Sequence, residues 1–234
     1  MDEIRGTVLK APMPRPISPY HKPGFYADAL AKGRHREIVG GRWDETGRAQ
    51  MAALIAAGLL PHHKLLDIGA GALRLGCKAV PYLDPGNYWA TDLSGALMAE
   101  GHARELTDPT RLAAGNLVED ADFSFPGIPA DIDFAICFAV FTHLPLSCLG
   151  PALMRIHASF PQLQRLLFTV FLTPDEAHAA AFRQPDGVVT HPDRAPYHHR
   201  ASEIAVLAQK AGFALARSDI RLPRGQCLYT ATPL

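Results

Sequence analysis

Residues 64–76 read KLLDIGAGALRLG, so an apolar run leads directly into a turn with two glycines and then into a helical pattern. Gly69 and Gly71 can take backbone dihedral angles that other residues disfavour, and they let a ligand approach the main chain closely. Asp67 lies near the end of the apolar run, where the carboxyl ends of parallel strands form a binding crevice. The segment therefore predicts a cofactor-binding turn between a strand and a helix.

The glycine spacing separates two classes of cofactor. A dinucleotide turn has the pattern G-x-G-x-x-G, whose third glycine lets the helix pack closely beside the strand. Arg74 stands at that third position in this chain, and the next glycine is Gly76. An acidic residue just before the first glycine suits a cofactor that carries an ammonium group and no pyrophosphate. An NAD-dependent oxidoreductase remains the alternative interpretation.

Short apolar runs alternate with helical segments along the rest of the chain, which is typical of parallel strands joined by crossover helices. Residues 214–218 and 226–231 flank a turn with Pro223 and Gly225, which predicts an antiparallel hairpin. The predicted fold is an α/β fold with a doubly wound, mostly parallel, seven-stranded Rossmann-like sheet. We expect its other strands at about 64–68, 88–91, 111–114, 134–138 and 165–171, and its helices at 72–82, 94–106, 146–160 and 201–211.

The sequence predicts an arm followed by one domain. Prolines at 12, 14, 16, 19 and 23 indicate that residues 1–26 form an extended arm, because each proline fixes a dihedral angle and removes a backbone donor. Residues 27–234 are expected to form the domain, with helices over 27–60 that break at 39–41. Residues 173–200 are rich in Pro, His and Asp without a steady period, which predicts an insertion before the last helix.

Composition and charge disfavour several kinds of partner. The 23 basic residues balance the 23 acidic ones, so no global field draws the protein to nucleic acid or to a membrane surface. No segment is apolar enough for a signal peptide or a membrane span, and we expect a cytoplasmic protein. The four cysteines form no CxxC pair, which favours free thiols. The histidines, among them His191, lack a metal-site spacing such as HExxH, so we expect no metal.

Four segments together resemble the class I S-adenosylmethionine-dependent methyltransferases. In that family the first strand and its turn read apolar-Leu-Asp-apolar-Gly-x-Gly, as residues 65–71 do. Residues 87–94, NYWATDLS, resemble the second strand, which ends in an acid that binds the ribose hydroxyls, here Asp92. Residues 111–117, RLAAGNL, resemble the third strand, whose end meets the adenine. Residues 133–145 resemble the fourth strand and the loop that covers the methionine part.

The resemblance implies S-adenosylmethionine as the cofactor, a small-molecule acceptor, and methyl transfer to oxygen or nitrogen by in-line displacement. The chain departs from the family at three places: Ala70 stands where cysteine or serine is common, residues 72–74 replace a third glycine, and Asn116 stands where aspartate is frequent. The residues that the resemblance implies around the cofactor are Asp67, Gly69, Ala70, Gly71, Arg74, Asp92, Leu93, Asn116, Leu117, Phe138, Ala139 and His143.

The acceptor is expected to meet loops over the strand ends, because specificity in such folds lies in added segments. We predict that Trp43, Tyr197 and His199 bind the acceptor, and that His143 or His198 accepts its proton. Several alternatives stay open: Trp43 as a core residue, Asp92 as a helix N-cap, each histidine in a purely structural hydrogen bond, and a cofactor-binding protein without turnover. Arg74 and Arg224 could each meet a carboxylate or face solvent.

Overall fold

The computed structural model describes residues 18–21, 24–220 and 222–234. Most of the predicted proline-rich arm lies outside these residues, and Pro19 begins a single 3-10 turn that ends at His21. The helices are α1 (Ala27–Ala31), α2 (His35–Ile38), α3 (Trp43–Ala56), α4 (Gly76–Tyr82), α5 (Gly95–Glu105), α6 (Leu146–Ser159) and α7 (Ala201–Lys210).

The strands alternate with these helices in the order that the sequence predicts. They are β1 (Leu65–Ile68), β2 (Tyr88–Asp92), β3 (Leu117–Glu119), β4 (Phe134–Cys137), β5 (Arg165–Leu172), β6 (Phe182–Arg183), β7 (Val189–Thr190), β8 (His198–His199), β9 (Phe213–Arg217) and β10 (Cys227–Pro233). The main sheet has the order β3-β2-β1-β4-β5-β10-β9. The first five strands are parallel, and β10 enters antiparallel between β5 and β9. The predicted doubly wound sheet with an antiparallel C-terminal hairpin is confirmed.

Helices cover both faces of the sheet. On one face, α6 and α7 bury Leu153, Ile156 and Ile204 against sheet residues such as Leu66 and Phe168. On the other face, residues of α3, α4 and α5 pack against the opposite sides of the same strands, as Leu54, Val80, Met98, Leu65 and Phe134 do. Burial on both faces explains why the central strands are apolar throughout rather than alternating.

The prediction of a third strand at 111–114 is wrong. Pro109–Arg111 forms a 3-10 turn that Asp108 caps, and the Arg111 guanidinium donates to the carbonyl oxygens of Val80 and Leu83 at the end of α4. The strand begins only at Leu117 and pairs with the last three residues of β2. Residues 111–114 therefore precede β3. The residues that follow β3, and so reach the edge of the sheet, lie several positions later in the chain than a strand at 111–114 predicts.

Two other predicted segments differ from the structure. Helix α4 begins at Gly76 rather than at residue 72, because Leu73 has a φ of 61°, which a right-handed helix does not allow. The insertion at 173–200 contains the small antiparallel pair β6 and β7, and β8 adds a parallel strand beside β5. Within the described ranges, no helix combines the length and apolar content needed to cross a membrane. None of the four cysteines forms a disulfide bond.

Candidate functional site

A deep concave region, here called the central cavity, lies where the strand order reverses. Strand β1 pairs with β2 on one side and with β4 on the other, and its next connection crosses to the opposite side of the sheet. In open α/β sheets such a switch point leaves a crevice at the carboxyl ends of the strands. The cavity is lined by residues that follow β1, β2, β3 and β4, and by the chain before β1.

The glycine turn after β1 forms the floor of the central cavity. Gly69 and Gly71 have φ angles of 76° and 58°, in the left-handed region that favours glycine. Their space is also tight: a Cβ on Gly69 would lie 2.2 Å from Cγ2 of Val140, and one on Gly71 would lie 2.7 Å from Cγ1 of Val39. Both predicted positions, with Ala70 between them, line the cavity and tolerate no side chain in this conformation.

Asp92 ties the glycine turn to the end of β2. Its Oδ2 accepts from the Gly71 amide at 2.8 Å, and its Oδ1 accepts from the Ser94 amide at 3.0 Å. The N-cap of α5 is Ser94, whose hydroxyl accepts from the Leu97 amide, so the alternative of Asp92 as the cap is wrong. A carboxylate has about four lone-pair positions, so these contacts leave capacity for a ligand. Burial raises the pKa of Asp92 to about 6, while the backbone donors oppose that rise.

The residues at the end of β3 are not the predicted ones. Asn116 lies before the strand, where its side-chain amide donates to the carbonyl oxygens of Gly86 and Tyr88. Neither Asn116 nor Leu117 lines the central cavity; Asp120, Ala121 and Phe123 do instead. The Asp120 carboxylate accepts from three backbone amides of the following loop, which fixes the shape of this wall. The sequence does contain a signal for this strand end: the acids Glu119 and Asp120 follow Val118, as Asp92 follows Thr91 at the end of β2.

The loop after β4 forms the opposite wall. Ala139 has a φ of 60°, which costs an L-residue about 1–2 kcal/mol. Its amide donates to Oγ1 of Thr169 at 2.8 Å, and that hydroxyl donates to the Gln226 side chain at 2.6 Å. A strained residue held by two buried polar side chains is typical of a functional site. Phe138, Ala139 and His143, all predicted, line the cavity, as does Leu93.

His143 stands between the central cavity and a second cavity beside it. Its ring lies 4.7 Å from the ring of Tyr20 in an edge-on arrangement, and its Nδ1 is buried without a hydrogen-bond partner among the described residues. Burial, and then the positive charge of Arg224, lower the pKa of His143 to about 4. The imidazole is therefore neutral at physiological pH and free to accept a hydrogen bond from a ligand.

Asp67 lies beneath the glycine turn rather than on the cavity surface. It is 2% exposed, and its Oδ2 accepts from the Tyr88 hydroxyl at 2.7 Å. Burial raises the pKa of Asp67 to about 7, and the hydrogen bond from Tyr88 and the charge of Arg74 oppose that rise. Asp67 can therefore act on a cofactor through its charge and through the turn, without direct contact in this arrangement.

Arg74, at the position of the missing third glycine, reaches back over the turn. Its Nη1 donates to the carbonyl oxygens of Val39 and Gly41 at 3.0 and 3.3 Å. Its Nε is buried and has no partner among the residues that the structure describes. The guanidinium lines both cavities and retains unused donors beside the glycine turn.

The chain before β1 covers the central cavity, although Trp43 does not. Tyr20, Tyr26 and Val39 line the cavity from this side. Trp43 lies outside both linings, where the Arg36 guanidinium stacks 5.1 Å from its ring. The predicted contact of Trp43 with the acceptor therefore does not fit its position.

Arg36 and the covering helices are anchored to α5. The Arg36 guanidinium donates from Nε and Nη2 to the two carboxylate oxygens of Glu105, at 2.8 and 2.6 Å. His35 contacts the same carboxylate at 2.6 Å. Trp43 thus helps to fix the cover through Arg36. Tyr20, Tyr26 and Val39, which line the cavity from this side, follow no periodic pattern in the sequence, and the sequence analysis did not identify them.

The predicted role of His198 as a base does not fit its surroundings. His198 is fully buried and lies outside both cavity linings. Its Nε2 lies 3.0 Å from the carbonyl oxygen of His178, which can only accept, so Nε2 carries the proton. Its Nδ1 lies 2.8 Å from Oγ1 of Thr190. Both ring nitrogens are occupied, and a proton from a ligand has no place on this ring.

Tyr197 and His199 are also turned away from the cavities. Both are 2% exposed and belong to neither lining. The Tyr197 amide donates to the carbonyl oxygen of Thr142, which packs the insertion against the β4 loop. Val188 and Pro196 are the residues through which the insertion reaches the second cavity. Among the described residues, no group of three or more histidine, cysteine or acidic side chains could hold a metal ion.

No family model and no curated protein sequence matches the chain. Solved structures do match it. Magnesium protoporphyrin IX methyltransferase from Synechocystis PCC 6803, solved with bound SAH, is 16% identical with a TM-score of 0.61, over 89% of this chain and 97% of that one. A TehB-like SAM-dependent methyltransferase from Corynebacterium glutamicum is 17% identical with a TM-score of 0.55, over 91% of this chain and 100% of that one.

A third structure is 22% identical with a TM-score of 0.59, over 95% of this chain and 94% of that one. It is the 1,6-didemethyltoxoflavin-N1-methyltransferase of Burkholderia thailandensis, with bound 1,6-didemethyltoxoflavin and S-adenosylhomocysteine. At these identities the likeness establishes the fold, which is that of the class I S-adenosylmethionine-dependent methyltransferases. The expected resemblance to that family is confirmed at this level.

Proposed function

We propose that this protein is an S-adenosylmethionine-dependent methyltransferase that acts on an oxygen or nitrogen atom of a small molecule. The observation that carries the proposal is the central cavity, in which the glycine turn, the Asp92 carboxylate and the β4 loop meet at the switch point of the sheet. Proteins with this fold whose structures contain SAM or S-adenosylhomocysteine support the choice of cofactor.

The donor groups of the central cavity fit the three parts of the cofactor. The remaining lone-pair capacity of Asp92 suits the ribose hydroxyls. The unused donors of Arg74 suit the carboxylate of the methionine part, beside the open backbone of Gly69 and Gly71. Leu93, Asp120, Ala121 and Phe123 offer a slot for the adenine that is apolar except for the Asp120 carboxylate, in place of the predicted Asn116 and Leu117.

When bound, the cofactor supplies a methyl group on a positively charged sulfur. The protein then has to hold an acceptor atom in line with that methyl group, and alignment alone supplies several kcal/mol of the barrier reduction. The neutral His143 imidazole, with its free Nδ1, accepts a hydrogen bond from an acceptor hydroxyl and orients the attacking lone pair. The main chain at the strained Ala139 lines the same two cavities as His143.

An NAD-dependent oxidoreductase is the second candidate, since a glycine turn after the first strand also forms part of dinucleotide-binding sites. Two observations disfavour it. The side chain of Arg74 fills the position where the third glycine would let a helix pack closely. Residues 72–75 form a turn rather than the start of a helix, so no helix N-terminus faces a pyrophosphate at the second glycine.

Calorimetric titration of the protein with S-adenosylhomocysteine, S-adenosylmethionine and NAD tests the cofactor. We expect the first two to bind and NAD not to bind. Asp92→Asn should weaken S-adenosylhomocysteine binding by about 1–3 kcal/mol, because ribose hydroxyls lose a charged acceptor. Asp108→Asn is the matched control, since Asp108 also accepts a backbone amide but lies outside the cavity. Binding of NAD alone would refute the proposal.

Turnover separates an enzyme from a cofactor-binding protein. The assay measures S-adenosylhomocysteine released from S-adenosylmethionine during a screen of phenols, aromatic acids and heteroaromatic amines. Product from at least one acceptor, lost in Asp92→Asn and kept in Asp108→Asn, supports a methyltransferase. Tight binding of the cofactor with no release of S-adenosylhomocysteine for any acceptor in the screen would favour the alternative of a cofactor-binding protein that has no methyltransferase activity.

A further inference from the structure

The second cavity, here called the side cavity, opens beside His143 on the side away from the adenine slot. It shares Tyr20, Arg74 and His143 with the central cavity, so a ligand there would lie next to the methionine part of the cofactor. Its remaining walls come from the chain before β1, the loop after β4, strand β5, the insertion and the turn before β10. Much of that surface is apolar, from Phe138, Phe171, Val188, Pro196 and Pro223.

Two arginines line the side cavity, and the described residues of its lining include no aspartate or glutamate. Arg74 donates from Nη1 to the carbonyl oxygens of Val39 and Gly41, and Arg224 donates from Nη2 to that of Gly40. The two guanidinium groups therefore lie on the same short loop. Each has five N–H donors, and these contacts use only one nitrogen of each. Most N–H donors of the two guanidinium groups are therefore not used by their contacts with residues 39–41 and can bind a ligand.

The positive charge of this pair is not balanced within the described part of the chain. No ion pair there includes Arg74 or Arg224; the arginines that form such pairs are Arg34, Arg36, Arg42, Arg104, Arg155 and Arg200. Asp67 attracts Arg74 from below the glycine turn, but burial raises the pKa of Asp67 to about 7, which reduces its negative charge near neutrality. The other charged groups that face Tyr20 are Asp92, on the cofactor side, and the two arginines.

We propose that the side cavity is the acceptor site and that it takes a small planar apolar compound bearing a carboxylate. This inference rests on the proposed function and names its substrate class. The free donors of Arg224 would hold the carboxylate, because a guanidinium group matches a carboxylate in a forked, charge-assisted geometry, and Arg74 would add its positive charge from the cofactor side. The aromatic and proline walls would pack against the planar body, with the nucleophilic atom beside His143.

The test uses two probes of nearly the same shape, the anion 4-hydroxybenzoate and the neutral 4-hydroxybenzamide. Each is titrated into the full chain saturated with S-adenosylhomocysteine, and binding is followed by calorimetry or ligand-detected NMR. We expect the carboxylate to bind at least about tenfold more tightly than the amide, as hydrogen bonds to charged groups exceed neutral ones by roughly that factor. 6-Hydroxy-2-naphthoate and its amide form a larger pair for the same comparison.

Arg224→Gln should abolish the preference for the carboxylate, and Arg224→Lys, which keeps the charge without the fork, should retain part of it. Arg183→Gln is the matched control, because Arg183 is exposed and also donates to a backbone carbonyl, that of Gly187, but lines neither cavity. Melting temperatures of the variants verify that each one folds.

Three results would overturn the inference: equal binding of carboxylate and amide, an unchanged preference in Arg224→Gln, or no binding of any of the four probes. Binding of S-adenosylhomocysteine is measured first. If it fails, the proposed function is refuted, and the probes are titrated into the protein alone, so that the anion preference is decided separately.

Discussion

Substitution of Asp67 by asparagine should change how the stability of the protein depends on pH. Burial raises the pKa of this carboxyl from 3.8 to about 7 in the folded protein. Between these values the folded state holds a proton that the unfolded chain releases. Asp67 therefore contributes stability that is present below about pH 4 and is lost as the pH rises through 7.

The size of the effect follows from the shift. Three pKa units at about 1.4 kcal/mol each give at most about 4 kcal/mol. Between pH 5 and pH 8 about two of those units are titrated, so the wild-type protein should lose roughly 2.5 kcal/mol relative to Asp67→Asn. An asparagine oxygen can still accept from the Tyr88 hydroxyl, and any cost of its buried amide group is the same at every pH.

Urea denaturation of both proteins at pH 5, 6, 7 and 8 measures this difference. Other titrating groups, such as Asp92, are common to the two proteins and largely cancel in the comparison. Asp84→Asn, at an exposed carboxylate, is the control and should track the wild type. If the free-energy difference between Asp67→Asn and the wild type stays constant from pH 5 to pH 8, the carboxyl of Asp67 is not held protonated by burial, and its role beneath the glycine turn must be reconsidered.

Three further predictions concern the walls of the cavities. Glu105→Gln should lower the free energy of unfolding at neutral pH by about 1–2 kcal/mol in urea titrations, because the bidentate contact with Arg36 loses its charge. Thr169→Val should cost about 1–3 kcal/mol, since it leaves the Ala139 amide without its acceptor. His143→Asn should leave S-adenosylhomocysteine affinity within about twofold but reduce transfer to a hydroxyl acceptor at least tenfold. The His143-dependent part of wild-type turnover should persist at neutral pH and disappear as the pH falls through about 4.

The parts of the fold that the sequence predicted are those with a strong local pattern. Strands β1, β2, β4 and β5 are apolar runs bounded by polar or glycine positions, and their predicted limits agree with the structure to within one residue. Strand β3 has only three residues, none of them fully buried, so its burial pattern is too weak to mark it. The apolar residues near Leu112 attracted the prediction instead, although they pack beside the sheet.

The side chains of the insertion could not be placed from the sequence for a different reason. Strand β8 has two residues, and its orientation depends on the parallel register that pairs Phe171 with His198. That register brings His198 against Thr190 and the His178 carbonyl, contacts that join residues 8 and 20 positions apart without any period. Alternation within the segment therefore gave no information about which ring faces a cavity.

The two cavities differ in how their walls are encoded. The floor of the central cavity comes from one continuous turn whose backbone conformation only glycine adopts easily, and a short sequence therefore determines it. The side cavity joins Arg74, the carbonyl groups of residues 39–41, Pro196 and Arg224, which lie far apart in the chain and meet only when the sheet is complete. Changes in the insertion or in the turn before β10 can thus alter the side cavity without disturbing the glycine turn.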